Sequence, residues 1–175
     1  MNKKYKPFIL SLVLLIVDQL VKTWVVKTIP LNTIHGKYLN DFLWIVHVRN
    51  TGIAFSVGDG LSIAIRIILF IIVPIGLMLL LSWSILSKKN FFKSAQKWYV
   101  AGIIGGGLGT ICDRIFRFST GVVDFISVKF YGLLGMERWP TFNISDSCVV
   151  VFTILLLISI LFMKSDKKEG EKQSE

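Results

Sequence analysis

Gly121–Ser147, GVVDFISVKFYGLLGMERWPTFNISDS, joins two long apolar segments and carries an aspartate beside each, Asp124 just after the first and Asp146 at the mouth of the second. A carboxylate exposed to lipid is costly, so acids at such boundaries face protein, trapped water or a partner. Reading outward from this stretch, apolar runs predict four spans, roughly 7–28, 62–86, 98–116 and 144–163. Each is about 20 residues long, enough to cross a hydrocarbon core. The expected fold is a mainly α membrane protein built on a four-transmembrane-helix bundle. Pro74 and Gly76 are placed to kink the second helix, as spans tolerate.

Of the 175 residues, 53% are hydrophobic and 18% charged, and mean hydropathy is +0.65. That leaves no room for a large soluble domain beside the spans. One integral membrane domain is expected over 1–164, followed by a charged tail, 165–175, too poor in apolar residues to fold. The net charge is +9, but the lysines gather at span ends, which argues against nucleic-acid binding. Lys3, Lys4 and Lys6 precede the first span, Lys88, Lys89, Lys93 and Lys97 fill the short second connection, and Lys164, Lys167, Lys168 and Lys172 crowd the tail. With four spans these regions share one side, which the positive-inside rule makes cytoplasmic. Both termini are then inside, and connections 29–61 and 117–143 outside. MNKKYK followed by FILSLVLLIV imitates a secretory signal, yet no small-x-small cleavage site follows, so the first span is read as uncleaved.

Tyr38–Ser56, YLNDFLWIVHVRNTGIAFS, is rich in β-branched and aromatic residues and broken by Asn50 and Gly52, which reads as short strands and a turn. Phe42, Trp44 and Phe55 suit a small sheet resting at the membrane surface. Cys112 and Cys148 form no disulfide framework and read as small buried apolar residues. His35 and His47 are the only histidines and HExxH is absent, so no metal or other cofactor is expected.

Five sites can carry chemistry or hold it in place. Asp18 and Lys22, four apart in the first span, share a helix face, and their opposite charges suit a structural pair better than a titrating acid. Gly102/Gly106 and Gly105/Gly109 are small-xxx-small pairs for close helix packing, and GGGLGT lacks the Lys-Ser/Thr of a phosphate loop. Packing there would aim Asp113 and Arg114. Their adjacency suits tying one of them to structure or to a lipid phosphate; Arg114 can also hold substrate polar groups, and a solvated helix end is the plain alternative. Asp146, after Asn143 and Ser145, has the position of a capping or first-turn acid. That explanation says nothing of Asp124, whose apolar setting in GVVDF invites a partner. Should the two carboxylates approach closely, both cannot ionise, and the pair can act as general base and acid on one water.

The chain resembles the lipoprotein signal peptidases, the bacterial type II signal peptidases. The likeness runs through DQLVK (18–22), NTGIAFS (50–56), GGGLGTICDR (105–114), VVDF (122–125) and FNISDS (142–147), in order and each beside the expected span. It implies an aspartyl peptidase with a small extracytoplasmic β-cradle and a short extracytoplasmic helix. The catalytic dyad falls on Asp124 and Asp146, polar supports on Asn50, Gly52, Asp113, Arg114 and Asn143, and the first-span pair on Asp18 and Lys22. The implied substrate is a diacylglyceryl-modified prolipoprotein, cut before the lipidated cysteine near the outer leaflet of the bacterial inner membrane. Membrane lipids are the other expected partner, and the chain is expected to be a monomer. Two positions depart from the family pattern. Thr110 stands where Asn is usual, which weakens the case for a substrate contact there. Ser145 stands where Ala is usual, with a hydroxyl free to reach Asp146.

Other classes remain in view. A proton path through Asp18, Lys22 and the dyad lacks the inverted repeat and paired broken helices of a transporter. The glycine helix offers a contact face to a non-enzymatic assembly partner. A serine peptidase would draw on Ser56, Ser145 or Ser147, with only the loop residues Lys37 and Lys129 as candidate bases.

Overall fold

The computed structural model describes residues 4–52, 61–89 and 91–172, with side chains through Phe162. Phe55 and Ser56 therefore lie outside the described residues. Helix α1, Pro7–Thr28, opens with proline in its first turn, where no N–H is needed. It ends because Pro30 forces the residue before it out of the helical region, and Ile29 is extended (φ −114°, ψ 119°). Helix α2, Ile63–Leu86, contains a π turn over Ile68–Ile72. Pro74 has no N–H for the carbonyl of Phe70 and crowds it. The disturbance expected at Pro74 thus takes the form of a widened turn just ahead of it.

Helix α3, Ser94–Phe116, starts four residues before the expected Trp98, because the Gln96 side chain accepts the Lys93 N–H at 2.9 Å and caps the end. It packs against each of the other long helices. A methyl group at Gly105 would sit 2.9 Å from the Ser11 backbone, and one at Gly106 2.6 Å from Ser145 O, so glycine is what lets α1 and α4 close in. Helix α4 runs Ile144–Lys172. The expectation of a disordered tail is corrected here, since the backbone stays helical to Lys172. Extending an existing helix needs no new nucleation.

By length and composition, Pro7–Thr28, Ile63–Leu86 and Ile144–Phe162 qualify as membrane spans. Helix α3 is long enough at 23 residues, but its glycines and the Asp113–Arg114 pair lower its hydropathy. Residues such as Leu20, Leu79 and Leu161 project from the three apolar helices, each 65–67% exposed. An apolar exterior of that kind suits lipid.

Among the described residues, three antiparallel strands lie in order β1 (Ile34–Tyr38), β2 (Leu43–Asn50) and β3 (Val122–Val128). The expected sheet within 38–56 is therefore only partly right: one strand begins before Tyr38, and another is supplied by the aspartate-bearing stretch itself. Alternation in VVDFISV is the local signal for that strand. The sheet rests on the end of α1 through Val25, Ile29, Val123 and Phe125, all buried. His47 braces the same junction, its Nδ1 hydrogen-bonded to Ile29 O at 2.7 Å. Beyond β3, Leu133–Gly135 forms one 3-10 turn, the only helical piece among the described residues of connections 29–61 and 117–143. Arg138 folds this excursion back, with Nε and Nη2 donating to Ser127 Oγ and Ser127 O, both at 2.8 Å, and its guanidinium 3.7 Å from the Trp44 ring centroid.

Candidate active site

Strand pairing sets Asp124 opposite Val48, two residues from Asn50 on β2. Phe142 then clips onto the far side of β3, Phe142 N donating to Ile126 O at 3.0 Å and Ile126 N to Phe142 O at 2.9 Å. This delivers Asn143, the next residue, to Asp124. Asn143 is fully buried, and its Nδ2 donates to Asp124 Oδ1 at 2.7 Å. Its Oδ1 accepts from Asp146 N at 3.0 Å, while Asp146 Oδ2 accepts from Asn143 N at 3.1 Å. That is a reciprocal helix cap whose capping residue also holds the second acid. One residue thus holds both acids, Asn143 reaching the carboxylate on the strand with its side chain and the carboxylate on the helix with its backbone N–H. Asn50 Nδ2 holds the other oxygen of Asp124 at 3.2 Å, and Asn50 Oδ1 is buried with no partner among the described residues.

Asp124 is 2% exposed. Burial, with the charge of Asp146 adding to it, pushes its carboxyl up to about 7, against the downward pull of the Asn143 and Asn50 amides. Such a group changes protonation in the neutral range, as a general acid or base requires. A largely apolar groove of about 470 Å³ ends at Asp146, walled by Phe130, Trp139, Phe142, Val150 and Val151.

Behind these acids lies a buried ionic cluster. Lys22 Nζ is 2.8 Å from Asp18 Oδ2 and 3.1 Å from Asp113 Oδ2, with all three side chains no more than 1% exposed. Arg117, one turn beyond Asp113, pairs with its other oxygen, and Gln19 Nε2 reaches Asp18, Gly109 O and Asp113 at 3.1–3.3 Å. The cluster does more than neutralise itself. Asp113 Oδ2 accepts from Val123 N at 3.1 Å, and Asp18 Oδ1 from Ser145 N at 3.0 Å. Val123 precedes Asp124 and Ser145 precedes Asp146, so the backbone just before each acid is fixed by the same buried lysine-bridged pair.

The expected pairing of Asp18 with Lys22 is present, and Asp113 joins it. Arg114 does not pair with Asp113. It donates to Thr51 O at 2.9 Å and to Gly52 O, and stacks 4.9 Å from the centroid of Phe70 in the π turn. Arg114 and Gly52 therefore meet as a loop brace beside Asn50. Arg66 Nη2 holds Thr51 O from the other side at 2.9 Å. Thr110 sits within the backbone ladder of α3, and its hydroxyl makes no hydrogen bond to a described residue. Ser145 Oγ is buried without a partner and faces Gly109 rather than Asp146, so the expected bond to Asp146 is not formed. Lys37 and Lys129 both pair with Asp41. Cys112 and Cys148 are free thiols, half-buried.

Reading the sequence missed Gln19, Arg66 and Arg117. Arg117 had a local signal, four residues after Asp113 on one helix face. Gln19 and Arg66 act across helices and had none.

Comparison with known proteins gives one consistent result. The profile of a family described as Signal peptidase (SPase) II matches residues 10–162. The lipoprotein signal peptidase of Treponema pallidum (strain Nichols) is 41% identical over 173 residues, covering 99% of this chain and 91% of that protein. That of Treponema denticola is 42% identical over 170 residues, with 96% of each covered. A bacterial membrane enzyme solved by the in meso method at 2.3 Å superposes with a TM-score of 0.76 at 27% identity, over 94% of this chain and 92% of that one. Sequence relatives and fold point the same way, and the chain belongs to the signal peptidase II family.

Proposed function

We propose that this chain is an aspartyl endopeptidase of the bacterial inner membrane. It removes the signal peptide of a prolipoprotein by cutting before a cysteine that already carries diacylglycerol. The observation that carries this reading is the Asn143 bridge, which holds Asp124 and joins Asp146 to it. The pair shares one proton near neutrality. The ionised carboxylate takes a proton from a water lying between the two, and the hydroxyl adds to the scissile carbonyl, whose oxygen is protonated by the other acid. The C–N bond of the resulting diol then breaks, and a carboxyl proton leaves with the amine of the cysteine. Neither metal nor covalent acyl-enzyme takes part.

Asn50 Oδ1 accepts a substrate N–H beside Asp124, and the apolar groove ending at Asp146 receives the apolar part of the signal peptide. Arg114, Arg66 and Gly52 keep the loop after Asn50 in place, and Asp18, Lys22 and Asp113 keep the two acids in register. Helix α3 is the fourth span, shielded by the other three. Both termini are cytoplasmic, the sheet and the acids lie at the outer leaflet, and substrate enters sideways from the bilayer as the acyl chains stay in lipid. One chain contains the whole site, and the protein works as a monomer.

The test is cleavage of a lipidated prolipoprotein by Asp124→Asn and Asp146→Asn variants. Loss of turnover in each is expected, and wild-type turnover in either removes that residue from the chemistry.

A further inference from the structure

A second cavity lies at the opposite end of the bundle, outside the machinery described above. It measures about 540 Å³ and is lined by Lys4, Lys6, Lys93 and Lys97, with Phe92 and Trp98 beside them. Helices α1 and α3 run parallel here, tied by Ser11 Oγ donating to Ala101 O at 2.6 Å, so both begin at this cavity. Lys4 Nζ donates to Leu86 O at 3.4 Å, which brings the end of α2 to the same rim. Neither α1 nor α3 has an acid in its first turn. Residues 1–17 and 61–112 contain no Asp or Glu at all. Among the described residues, Lys6, Lys93 and Lys97 have no carboxylate partner.

This arrangement is unfavourable as it stands. Lysines repel one another across the cavity, and they sit at the positive ends of helix dipoles where acids are preferred. An anion in the cavity relieves both repulsions. The wall supplies the rest of the specificity. Trp98 is 40% exposed and Phe92 is half-buried, and both lie where three apolar helices reach their ends. An aromatic wall at that level suits a ligand whose charged group is followed by hydrocarbon.

We propose that this cavity binds the phosphate of an anionic phospholipid, with the headgroup among Lys6, Lys93 and Lys97 and the acyl chains leaving past Trp98 into the bilayer. The site anchors the starts of α1 and α3 to the leaflet opposite the carboxylates.

The test titrates delipidated full-length protein with phosphatidylglycerol, phosphatidylcholine or inorganic phosphate, counting bound molecules by native mass spectrometry. One saturable phosphatidylglycerol per chain is expected, with no comparable binding of phosphatidylcholine. A Lys93→Gln/Lys97→Gln variant weakens that binding about 30-fold, while Lys37→Gln/Lys129→Gln, at the far end, leaves it unchanged. Retained peptidase activity shows the first variant to be folded. If that variant fails to fold, Lys97→Gln alone is read, with a loss of about five-fold expected. Unchanged phosphatidylglycerol affinity in the lysine variant overturns the proposal, as does equal binding of phosphatidylcholine. Inorganic phosphate binding as tightly as the lipid makes this a free-anion site and overturns it too. So does phosphatidylglycerol binding that appears only after Asp166→Asn, Glu169→Gln and Glu171→Gln, because the chain's own tail is then the occupant.

Discussion

Replacing Lys22 with methionine keeps most of the side-chain volume but removes the cation between Asp18 and Asp113. Its ammonium lies 2.8 Å and 3.1 Å from the two carboxylates. At an effective dielectric of 20 each contact is worth roughly 5–6 kcal/mol of Coulomb energy before desolvation is charged against it. The net loss is smaller, since removing one member of a buried pair typically costs about 3–5 kcal/mol. Arg117 still faces Asp113, whereas Asp18 has no other cation within ion-pair distance among the described residues. Asp18 holds Ser145 N and Asp113 holds Val123 N, so the damage reaches the backbone before each of the two acids, Asp124 and Asp146. A displacement of about 1 Å there lowers turnover about 100-fold. The assay pairs denaturant unfolding in detergent with cleavage of a lipidated prolipoprotein. Lys22→Met should be less stable by about 3–5 kcal/mol, and the fall in kcat should exceed any rise in KM. Adding Asp18→Asn should recover part of the stability, because the uncompensated charge is gone. Wild-type stability in Lys22→Met refutes the assigned ion cluster, and lost stability with wild-type turnover refutes its positioning role.

Three further outcomes follow from the same geometry. Burial and Asp146 raise Asp124 from 3.8 to about 7, so between those values the folded chain keeps a proton that the unfolded chain releases. Stability therefore falls as pH rises through that window, by up to about 4 kcal/mol, and levels off above it. Asp124→Asn should flatten the stability–pH curve over that range, and an identical curve contradicts the assignment. Gly106→Ala places a methyl 2.6 Å from Ser145 O, whereas a methyl at Gly76 meets nothing within 4 Å. The first should cost about 1–3 kcal/mol and slow cleavage, while the second should change neither by much, as thermal unfolding and turnover will show. Ser145→Ala removes a buried hydroxyl with no partner. It should keep full activity and gain up to about 1–3 kcal/mol in denaturant unfolding, while lost activity revives the serine alternative.

What the sequence disclosed tracks how local each interaction is. The Asp18–Lys22 pair is legible because four residues make one helical turn, and the spans because lipid imposes a length. Asp113 meeting Lys22 depends on the register of α1 against α3, which close glycine contacts set across about 90 residues of chain. Arg114 and Asp113 are neighbours in sequence, yet neighbours on a helix point about 100° apart, and Arg114 turns to the loop at Thr51 and Gly52. Strand β3 was overlooked because VVDFISV was read as a link between spans, when its alternation already fitted a sheet. The pairing of Asn143 with both acids needed the Phe142–Ile126 clip, a contact between residues that no short window joins.

If Asp124 and Asp146 act as one unit on a shared water, replacing one leaves the other with nothing to do. Single-turnover cleavage of a lipidated prolipoprotein should be measured for Asp124→Asn, Asp146→Asn and the variant carrying both. Groups that work as a unit are far from additive. Each single change should abolish most of the rate, and the double change should be no worse than either. Losses that multiply, or a wild-type rate in either single variant, would contradict the two acids acting as one unit.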